Sequence, residues 1–232
     1  MKRILLKLSG EALANGTSEL YDMAFVDKVA SAIASATGDG YQIAVVVGAG
    51  NIWRGRQGSD MDRIAADRMG MLATVINAIC LSDAISRAGV KARVMTSVAM
   101  SPFAEPFSSE AAVSALSAGE VVVLGAGLGI PFLSTDTTGA VRASEIGADA
   151  MLMAKNIDYI YTDDPRKNPA AEKIESISAS EVLARNLKAI DATATAFCMS
   201  VGMPIRVFGL NKPEDIIKAI KGESVGTVIT AE

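Results

Sequence analysis

The sequence contains no histidine and only two cysteines among its 232 residues. The absence of histidine excludes catalysis by a Ser-His or Cys-His pair, and it excludes every metal site built on an imidazole ligand. Cys80 and Cys198 each lie in an apolar stretch predicted to be helical, so we interpret them as buried thiols in a reduced compartment. A chain without histidine suits a reaction whose nucleophile is already negatively charged.

Aromatic residues and excess positive charge are also scarce. Aromatic residues make up 5% of the chain, and 26 acidic against 22 basic side chains give a net charge of −4. No general attraction to nucleic acid is expected, so any anionic substrate must be held by local groups. Uninterrupted apolar runs are too short to cross a bilayer, and Lys7 breaks the first one, which predicts a strand rather than a signal peptide. We expect a soluble, cytoplasmic protein with no membrane or direct nucleic-acid partner.

The apolar pattern alternates between a period of two and a period of about 3.6 along most of the chain. Short runs rich in valine, isoleucine and leucine predict strands buried on both faces, and the helices between them predict a mostly parallel sheet. No linker or repeat interrupts the pattern, so we expect one domain over 1–232, an α/β three-layer α-β-α sandwich around about eight strands. The predicted strands are 4–8, 43–47, 92–95, 121–124, 150–153, 157–161, 205–208 and 227–229. The predicted helices are 24–37, 64–88, 109–117, 137–146, 180–186, 192–201 and 213–220.

Glycine-bearing turns follow three of the predicted strands. They are Ser9-Gly10-Glu11, Gly48-Ala49-Gly50-Asn51 and the segment 125–129. Ligands of doubly wound sheets collect beyond the carboxyl ends of the strands, where glycine allows close approach and helix N-termini favour anions. The chain has no G-x-x-x-x-G-K-[ST] motif, no complete G-x-G-x-x-G motif and no protein-kinase signature, so the common phosphate-binding motifs are excluded.

Charged residues lie next to these turns. Lys7 stands near the carboxyl end of the first strand and must either reach the surface or meet an anion. Arg54 follows the second turn, and Asp67 comes near the start of the long helix. Asp136 lies in Ser134-Thr135-Asp136-Thr137-Thr138, where we expect it to cap the next helix, an assignment compatible with a second role.

Several segments in the same order resemble the bacterial uridylate kinases of the amino acid kinase superfamily, over nearly the whole chain. They are KRILLKLSGEAL, the GN-x-x-RG part of VVVGAGNIWRG, ADRMGMLATVIN, PFLSTDTT, DYIYTDDP and PIRVFGLNKP. The resemblance implies an amino acid kinase-like fold and transfer of a phosphoryl group from ATP to UMP, giving UDP and ADP, in pyrimidine nucleotide biosynthesis. It also implies Mg²⁺ carried by ATP rather than held by protein side chains, and a homohexamer built from dimers.

The resemblance further implies roles at the matching positions. The implied catalytic residues are Lys7, Asp136 and Arg54, with Asp136 orienting the lysine. The implied ATP-binding residues are Lys7, Leu8, Ser9 and Gly10 of the phosphate loop, Gly50 and Arg54, and, around adenine and ribose, Lys155 or Asn156, Tyr161 and Asp164. The implied UMP-binding residues are Ala49 at the phosphate, Asp67 at the ribose, and Leu128, Gly129, Ile130, Pro131, Phe132, Leu133, Ser134 and Thr135.

The sequence departs from the family pattern at a few of these positions. Ala49 replaces a glycine, and it is strained if that position needs a positive φ; otherwise its methyl group only narrows the phosphate approach. Leu128 and Ile130 replace a threonine and an asparagine that help to hold the acceptor. Met153 replaces a lysine for which Lys155, on the same strand face, is a candidate substitute. The segment 14–21 lacks the glycine-rich pattern associated with GTP activation, so GTP and UTP remain open as effectors.

Two other functions compete with a uridylate kinase. One is a related kinase with another small acceptor, and the other is a nucleotide-binding sensor or storage protein without catalysis. The joint presence of Lys7, Arg54, Asp67 and Asp136 argues against a loss of catalysis. The helix around 69–76 has more apolar positions than one face needs, which indicates either a core helix or, by the resemblance, a subunit interface.

Overall fold

The described part of the chain, residues 2–53, 60–163, 165 and 167–232 of a computed structural model, alternates between strands and helices. The strands are β1 (Arg3–Leu8), β2 (Gln42–Val47), β3 (Ala92–Thr96), β4 (Glu105–Pro106), β5 (Val121–Gly125), β6 (Ala150–Lys155), β7 (Ile160–Tyr161), β8 (Lys173–Ile174), β9 (Ser176–Ser178), β10 (Ile205–Gly209) and β11 (Thr227–Thr230). The helices are α1 (Gly10–Ala14), α2 (Met23–Gly38), α3 (Arg63–Arg87), α4 (Ser109–Ser117), α5 (Thr135–Glu145), α6 (Ala179–Ala184), α7 (Ala192–Ser200) and α8 (Glu214–Lys221).

Nine of these strands form one sheet in the order β4-β3-β5-β2-β1-β6-β10-β11-β9. All neighbouring pairs are parallel except β10 and β11, which are antiparallel. The five neighbouring strands β5, β2, β1, β6 and β10 therefore end at the same edge of the sheet, and β1 is the middle one. This is the mostly parallel sheet that the alternation of strand and helix predicts.

Helices cover both faces of the sheet. Successive side chains of β1 point in opposite directions, so Leu6 belongs to the buried cluster that includes residues of α2, α3 and α8, while Leu5 belongs to the cluster on the other face with residues of α4, α5, α6 and α7. Both side chains are fully buried. Lys7 follows Leu6 and shares the face of Leu5, which is the face of α5. The predicted three-layer arrangement is confirmed.

One predicted strand lies elsewhere, and some short elements were missed. The predicted strand 157–161 contributes only Ile160–Tyr161, which pairs with β8 in a separate two-stranded sheet. Because the main sheet gains β4 and β9 at its edges, it has nine strands rather than about eight. These additions are only two or three residues long, too short to leave a period in the sequence.

Helix α3 is long and apolar enough to cross a membrane by length and composition, but half of its most apolar window is buried inside the protein. It packs against β5, β3 and β2. A core helix of a soluble protein passes the same test, so this finding is weak evidence for a membrane span. The outer side of the helix carries an exposed apolar stripe, formed by Met69, Leu72, Ile76 and Ile79.

We predict that Gly226→Ala strongly destabilises the fold. Gly226 has a φ of +69°, and a Cβ there would lie 2.1 Å from Val207 O. The left-handed conformation and the overpacking together should lower the free energy of unfolding by about 2–5 kcal/mol, measured by urea denaturation. Gly38→Ala is the matched control, because a Cβ there meets nothing within 4 Å. Equal stability of the two variants would contradict the prediction.

Candidate active site

The turns after β1 and β2 pack directly on each other at the carboxyl edge of the sheet. A Cβ on Gly10 would lie 2.5 Å from Gly48 O and 2.7 Å from Gly50 N, distances that no side chain tolerates. A Cβ on Gly50 would in turn meet the Glu11 side chain at 2.8 Å. Close contact between backbones therefore requires glycine at position 10, whereas Gly50 makes room for the Glu11 side chain.

A buried amide network holds the turn after β2. Asn77 of α3 is fully buried and donates from Nδ2 to Gly48 O at 2.7 Å and to Asn51 Oδ1 at 2.8 Å. Its Oδ1 accepts a hydrogen bond from the Tyr21 hydroxyl at 2.6 Å. Burial raises the pKa of Tyr21 to about 12, so the hydroxyl keeps its proton and remains a donor. The network fixes the carbonyl of Gly48 from the side of the long helix.

Two lysines meet one carboxylate beside these turns. Lys7 Nζ lies 2.8 Å from Asp136 Oδ1, and Lys155 Nζ lies 2.7 Å from Asp136 Oδ2. The Lys7 and Asp136 residues are 6% and 8% exposed. Ser134, rather than Asp136, caps α5, because its Oγ accepts from the backbone N–H groups of Asp136 and Thr137. The expected cap was wrong for Asp136, whose carboxylate is thereby left to bind the lysines.

The ion pairs shift the pKa values of this cluster. Burial alone would raise the pKa of Asp136, but the charges of Lys7 and Lys155 outweigh burial and hold it below its ordinary value. Burial lowers the pKa of Lys155, and the nearby charge of Lys7 lowers it further, against the opposing effect of Asp136. The three side chains together carry one net positive charge, and the nearby carboxylate of Asp191 offsets part of it at Lys155.

Two cavities lie on either side of the turn after β2. The larger has a volume of about 500 Å³, and its wall includes Gly50 and Asn156. The smaller has a volume of about 160 Å³, and its wall includes Ala49 and Thr135. Residues next to the cluster line both cavities, since Asn156 follows Lys155 and Thr135 precedes Asp136. Asp136 itself lines a third cavity of about 340 Å³, together with Asp191.

The smaller cavity is mostly apolar with one carboxylate. Trp53, Leu128 and Ile130 contribute apolar surface to its wall. Asp67 also lines it, and its carboxylate accepts from Arg63 Nε at 2.9 Å and from Phe132 N at 2.8 Å. The last contact ties α3 to the segment after β5. The cavity has the composition of a small-molecule site, with apolar walls and a few polar groups.

The turn after β5 is strained. Ala126 is fully buried with a φ of +62°, and Gly127 and Gly129 have φ values of +57° and +75°. A left-handed alanine costs roughly 1–2 kcal/mol and persists only where its surroundings enforce it. Here Ala126 N donates to Thr74 Oγ1 at 2.9 Å. Ala49 is not among the described non-glycine residues with positive φ, so the strain of a left-handed conformation is excluded there, and the residue lines the smaller cavity.

A family model described as the amino acid kinase family matches residues 2–209. The chain belongs to the amino acid kinase family. Among solved structures of the family, UMP kinase from Bacillus anthracis is 34% identical with a TM-score of 0.95, covering 100% of this chain and 96% of that one. UMP kinase from Ureaplasma parvum is 33% identical with a TM-score of 0.93, covering 99% and 98%. Uridylate kinase from Archaeoglobus fulgidus is 29% identical with a TM-score of 0.76, covering 99% and 100%.

For this member of the family, the structure brings together part of the predicted site. Lys7, Asp136 and Lys155 form the ionic cluster, and Gly10 lies in the packed turns. The larger cavity includes Gly50 and Asn156 in its wall. The smaller cavity includes Ala49, Asp67, Leu128, Ile130, Leu133 and Thr135.

Other predicted residues have different surroundings. The Leu8 side chain is fully buried in the core, and Ser9 N donates to Ala154 O at 3.3 Å. The Ser134 hydroxyl donates to Asp191, while the Tyr161 hydroxyl donates to Asp158 at 2.8 Å. The other residues expected to bind UMP, Gly129, Pro131 and Phe132, belong to the segment between β5 and α5. Arg54 and Asp164 lie outside the described residues.

Sequence reasoning assigned no role to several polar residues that hold the site. Thr74 and Asn77 are polar positions within the apolar stretch 69–81 of α3, and both are buried. Asp191 accepts from the Thr137 hydroxyl at 3.2 Å and caps α7 through Ala194 N. A polar residue within an apolar helical stretch is a signal that could have identified Thr74 and Asn77. Nothing in the sequence places Asp191 beside α5.

We predict that Asp136→Asn destabilises the protein. Loss of the carboxylate leaves the buried ammonium group of Lys7 and the partly buried one of Lys155 without this counter-charge, which should cost about 3–5 kcal/mol of unfolding free energy at pH 7. Asp215→Asn is the matched control, because Asp215 pairs with Lys218 at the surface and should contribute about 1 kcal/mol or less. Urea denaturation of both variants measures the difference.

The pH dependence of this effect has a defined sign. The pKa of Asp136 is lower in the folded than in the unfolded chain, so its stabilisation is present above the unfolded pKa of about 3.9 and is lost as the pH falls through the folded value. The difference in free energy of unfolding between wild type and Asp136→Asn should therefore have its full size at pH 7 and decrease only below about pH 4. A difference that decreases between pH 8 and pH 6 would contradict the assignment.

Proposed function

We propose that this chain transfers the γ-phosphoryl group of ATP to UMP, giving UDP and ADP. The observation that carries the proposal is the Lys7–Asp136–Lys155 cluster, whose chain neighbours Asn156 and Thr135 line two separate cavities. The similarity to solved UMP kinases over the full chain supports the same reaction. The larger cavity would take ATP and the smaller one UMP, within a single domain of residues 1–232. A different small acceptor and a protein without catalysis are not favoured.

The reaction needs alignment of two anions more than it needs a base. A phosphate oxygen of UMP attacks the γ-phosphorus, a bond forms there, and the bond from that phosphorus to the bridging oxygen breaks, so ADP leaves with the electron pair. The attacking oxygen is already ionised at pH 7, which agrees with the absence of histidine. The N–H groups of the glycine turns and the net positive charge of the cluster would hold the anions and neutralise the charge between them.

Magnesium would enter with ATP as part of the donor substrate. Among the described residues no group of three or more acidic, cysteine or histidine side chains could hold a metal ion. Both carboxylate oxygens of Asp136 are bound by lysines, so Asp136 is not arranged as a metal ligand. Mg²⁺ bound to the phosphates of ATP would neutralise part of their charge.

The two lysines would share the transferred phosphoryl group. Met153 pairs with Lys7 in the register of β1 and β6, and Lys155 follows two residues later on the same face. Its Nζ binds Asp136 beside Lys7, which favours a place at the transfer point over one around adenine. In this arrangement Lys155 takes the part of the lysine that other members carry at the position of Met153.

The acceptor is tested by measuring ADP release with ATP and Mg²⁺ in the presence of UMP, CMP, dUMP, AMP or buffer alone. We expect turnover with UMP to exceed turnover with the others, although Leu128 and Ile130 replace the polar residues of the family pattern. Failure of UMP to react, together with turnover of another acceptor, would overturn the proposal. ATP hydrolysis equal in all arms would also overturn it.

We predict that Lys7→Ala nearly abolishes turnover. Loss of one group that stabilises the charge of the transition state should lower kcat by a factor on the order of 10²–10³. Lys155 still neutralises Asp136 in this variant, so circular dichroism should show an intact fold. Lys218→Ala, which removes an exposed lysine, is the control and should leave kcat unchanged. Normal activity of Lys7→Ala would refute its assignment.

We predict that Lys155→Met separates the two roles considered for Lys155. A place at the transfer point requires kcat to fall by at least about tenfold, while KM for ATP stays within about twofold of wild type. Steady-state kinetics with varied ATP measures both constants. A rise in KM for ATP at unchanged kcat would instead place Lys155 at adenine or ribose.

We further propose that the chain forms a homohexamer in the cytoplasm. The exposed apolar stripe of α3 supports association, because contiguous apolar surface of this kind is characteristic of interfaces. Light scattering after gel filtration should give six times the 24.1 kDa mass of one chain. A monomer mass would contradict the assembly.

GTP and UTP are proposed as effectors of the enzyme. Adding each of them to the ADP-release assay tests this, and unchanged rates would exclude both.

A further inference from the structure

A buried arginine lies behind the wall of the smaller cavity. Arg142 of α5 is 6% exposed, and its guanidinium lies 3.7 Å from the centre of the Phe107 ring. One terminal nitrogen donates to Glu145, and the other donates to Ser97 Oγ at 2.7 Å. A buried cation with this many specific partners holds a defined position. The mechanism described above does not use it.

Ser97 connects this arginine to the strained turn after β5. Its Oγ donates to Gly127 O at 2.5 Å. Because arginine can only donate, the hydrogen bond from Arg142 occupies a lone pair of Oγ and leaves the hydroxyl proton for the Gly127 carbonyl. The arginine thereby fixes which way the serine donates. Gly129 also packs against Ser97, since a Cβ on the glycine would lie 3.3 Å from the serine Cβ.

The turn that receives this hydrogen bond forms part of the cavity wall. Gly127, Leu128 and Ile130 line the smaller cavity, and the neighbouring Ala126 is held in a left-handed conformation. Thr74 binds the turn through Ala126 N on one side, while Ser97 binds it through Gly127 O on the other. Strained backbone of this kind relaxes when such contacts are removed.

We propose that Arg142 is a positioning residue for the acceptor: through Ser97 it holds the turn at Ala126–Gly127 in the conformation that shapes the smaller cavity. It touches neither substrate nor reacting atoms. Its loss should therefore weaken binding of the acceptor and leave binding of ATP in the larger cavity unchanged. The inference rests on the proposed function only in taking UMP as the ligand of the smaller cavity.

The test uses the one tryptophan of the chain, Trp53, which lines the smaller cavity and reports its occupation. Quenching of its fluorescence by UMP gives Kd for wild type, Arg142→Met, Ser97→Ala and the double variant. We expect each single variant to raise Kd about tenfold or more, as for loss of a hydrogen bond to a charged group. KM for ATP should stay within about twofold, and the double variant should be no worse than the worse single one.

Controls separate positioning from general destabilisation. Arg185→Met removes an exposed arginine, which pairs with Glu181, and should leave Kd unchanged. Arg142→Lys keeps the charge and one donor, so it should recover part of the lost affinity. An unchanged Kd in Arg142→Met, an equal loss of affinity for ATP, or multiplicative effects in the double variant would each overturn the inference.

Failure of the proposed function would appear differently, as wild-type protein that neither binds nor phosphorylates UMP. The inference is then decided by amide hydrogen exchange of the substrate-free protein. The N–H groups of Ala126 and Gly129 are bound to Thr74 Oγ1 and Ala126 O, and they should exchange faster in Arg142→Met than in Arg185→Met. Equal exchange in the two variants would overturn the inference without reference to any substrate.

Discussion

The site depends on one carboxylate shared by the buried Lys7 and the partly buried Lys155. Their charges hold the pKa of Asp136 below its ordinary value against the opposing effect of burial. The three residues come from β1, β6 and α5, so their meeting requires the parallel pairing of the two strands and the correct start of the helix. Ser134 provides that start by capping α5. The positive charge of this cluster is therefore a product of strand register and helix capping.

A second constraint is the contact between the turns after β1 and β2. The backbones approach so closely at Gly10 and Gly48 that the two strands must end at the same height. Asn77 then binds the Gly48 carbonyl from α3. This packing fixes the turn between the two cavities, so that Ala49 lines the smaller one and Gly50 lines the larger one. In the proposed reaction, a turn held in this way would help to align the reacting groups.

Much of the fold could be predicted from sequence because the apolar residues keep a regular period of two or of about 3.6 over most strands and helices. These periods predict the main strands and seven of the helices, and the glycines that follow three strands predict the turns. The strands β4, β8 and β9 are too short to leave a pattern. At the site, the family resemblance implied that Asp136 orients Lys7, whereas no pattern in the sequence itself brings together two residues that are 129 positions apart. Sequence reasoning misassigned the cap because serine and aspartate are both good capping residues, and only geometry decides between Ser134 and Asp136. The strain at Ala126 was invisible, because nothing in the local sequence demands a positive φ from alanine.

Helix α3 presents two different surfaces on one rigid rod. One side contributes Asp67, Gly70 and Thr74 to the wall of the smaller cavity, and the other carries the exposed apolar stripe. If subunits associate through that stripe, the same helix takes part in both acceptor binding and subunit association. Thermodynamic reciprocity then requires that any tightening of acceptor binding by association be matched by an equal tightening of association by the acceptor. The acceptor concentration in the cell would in that case help to set how much of the protein is assembled.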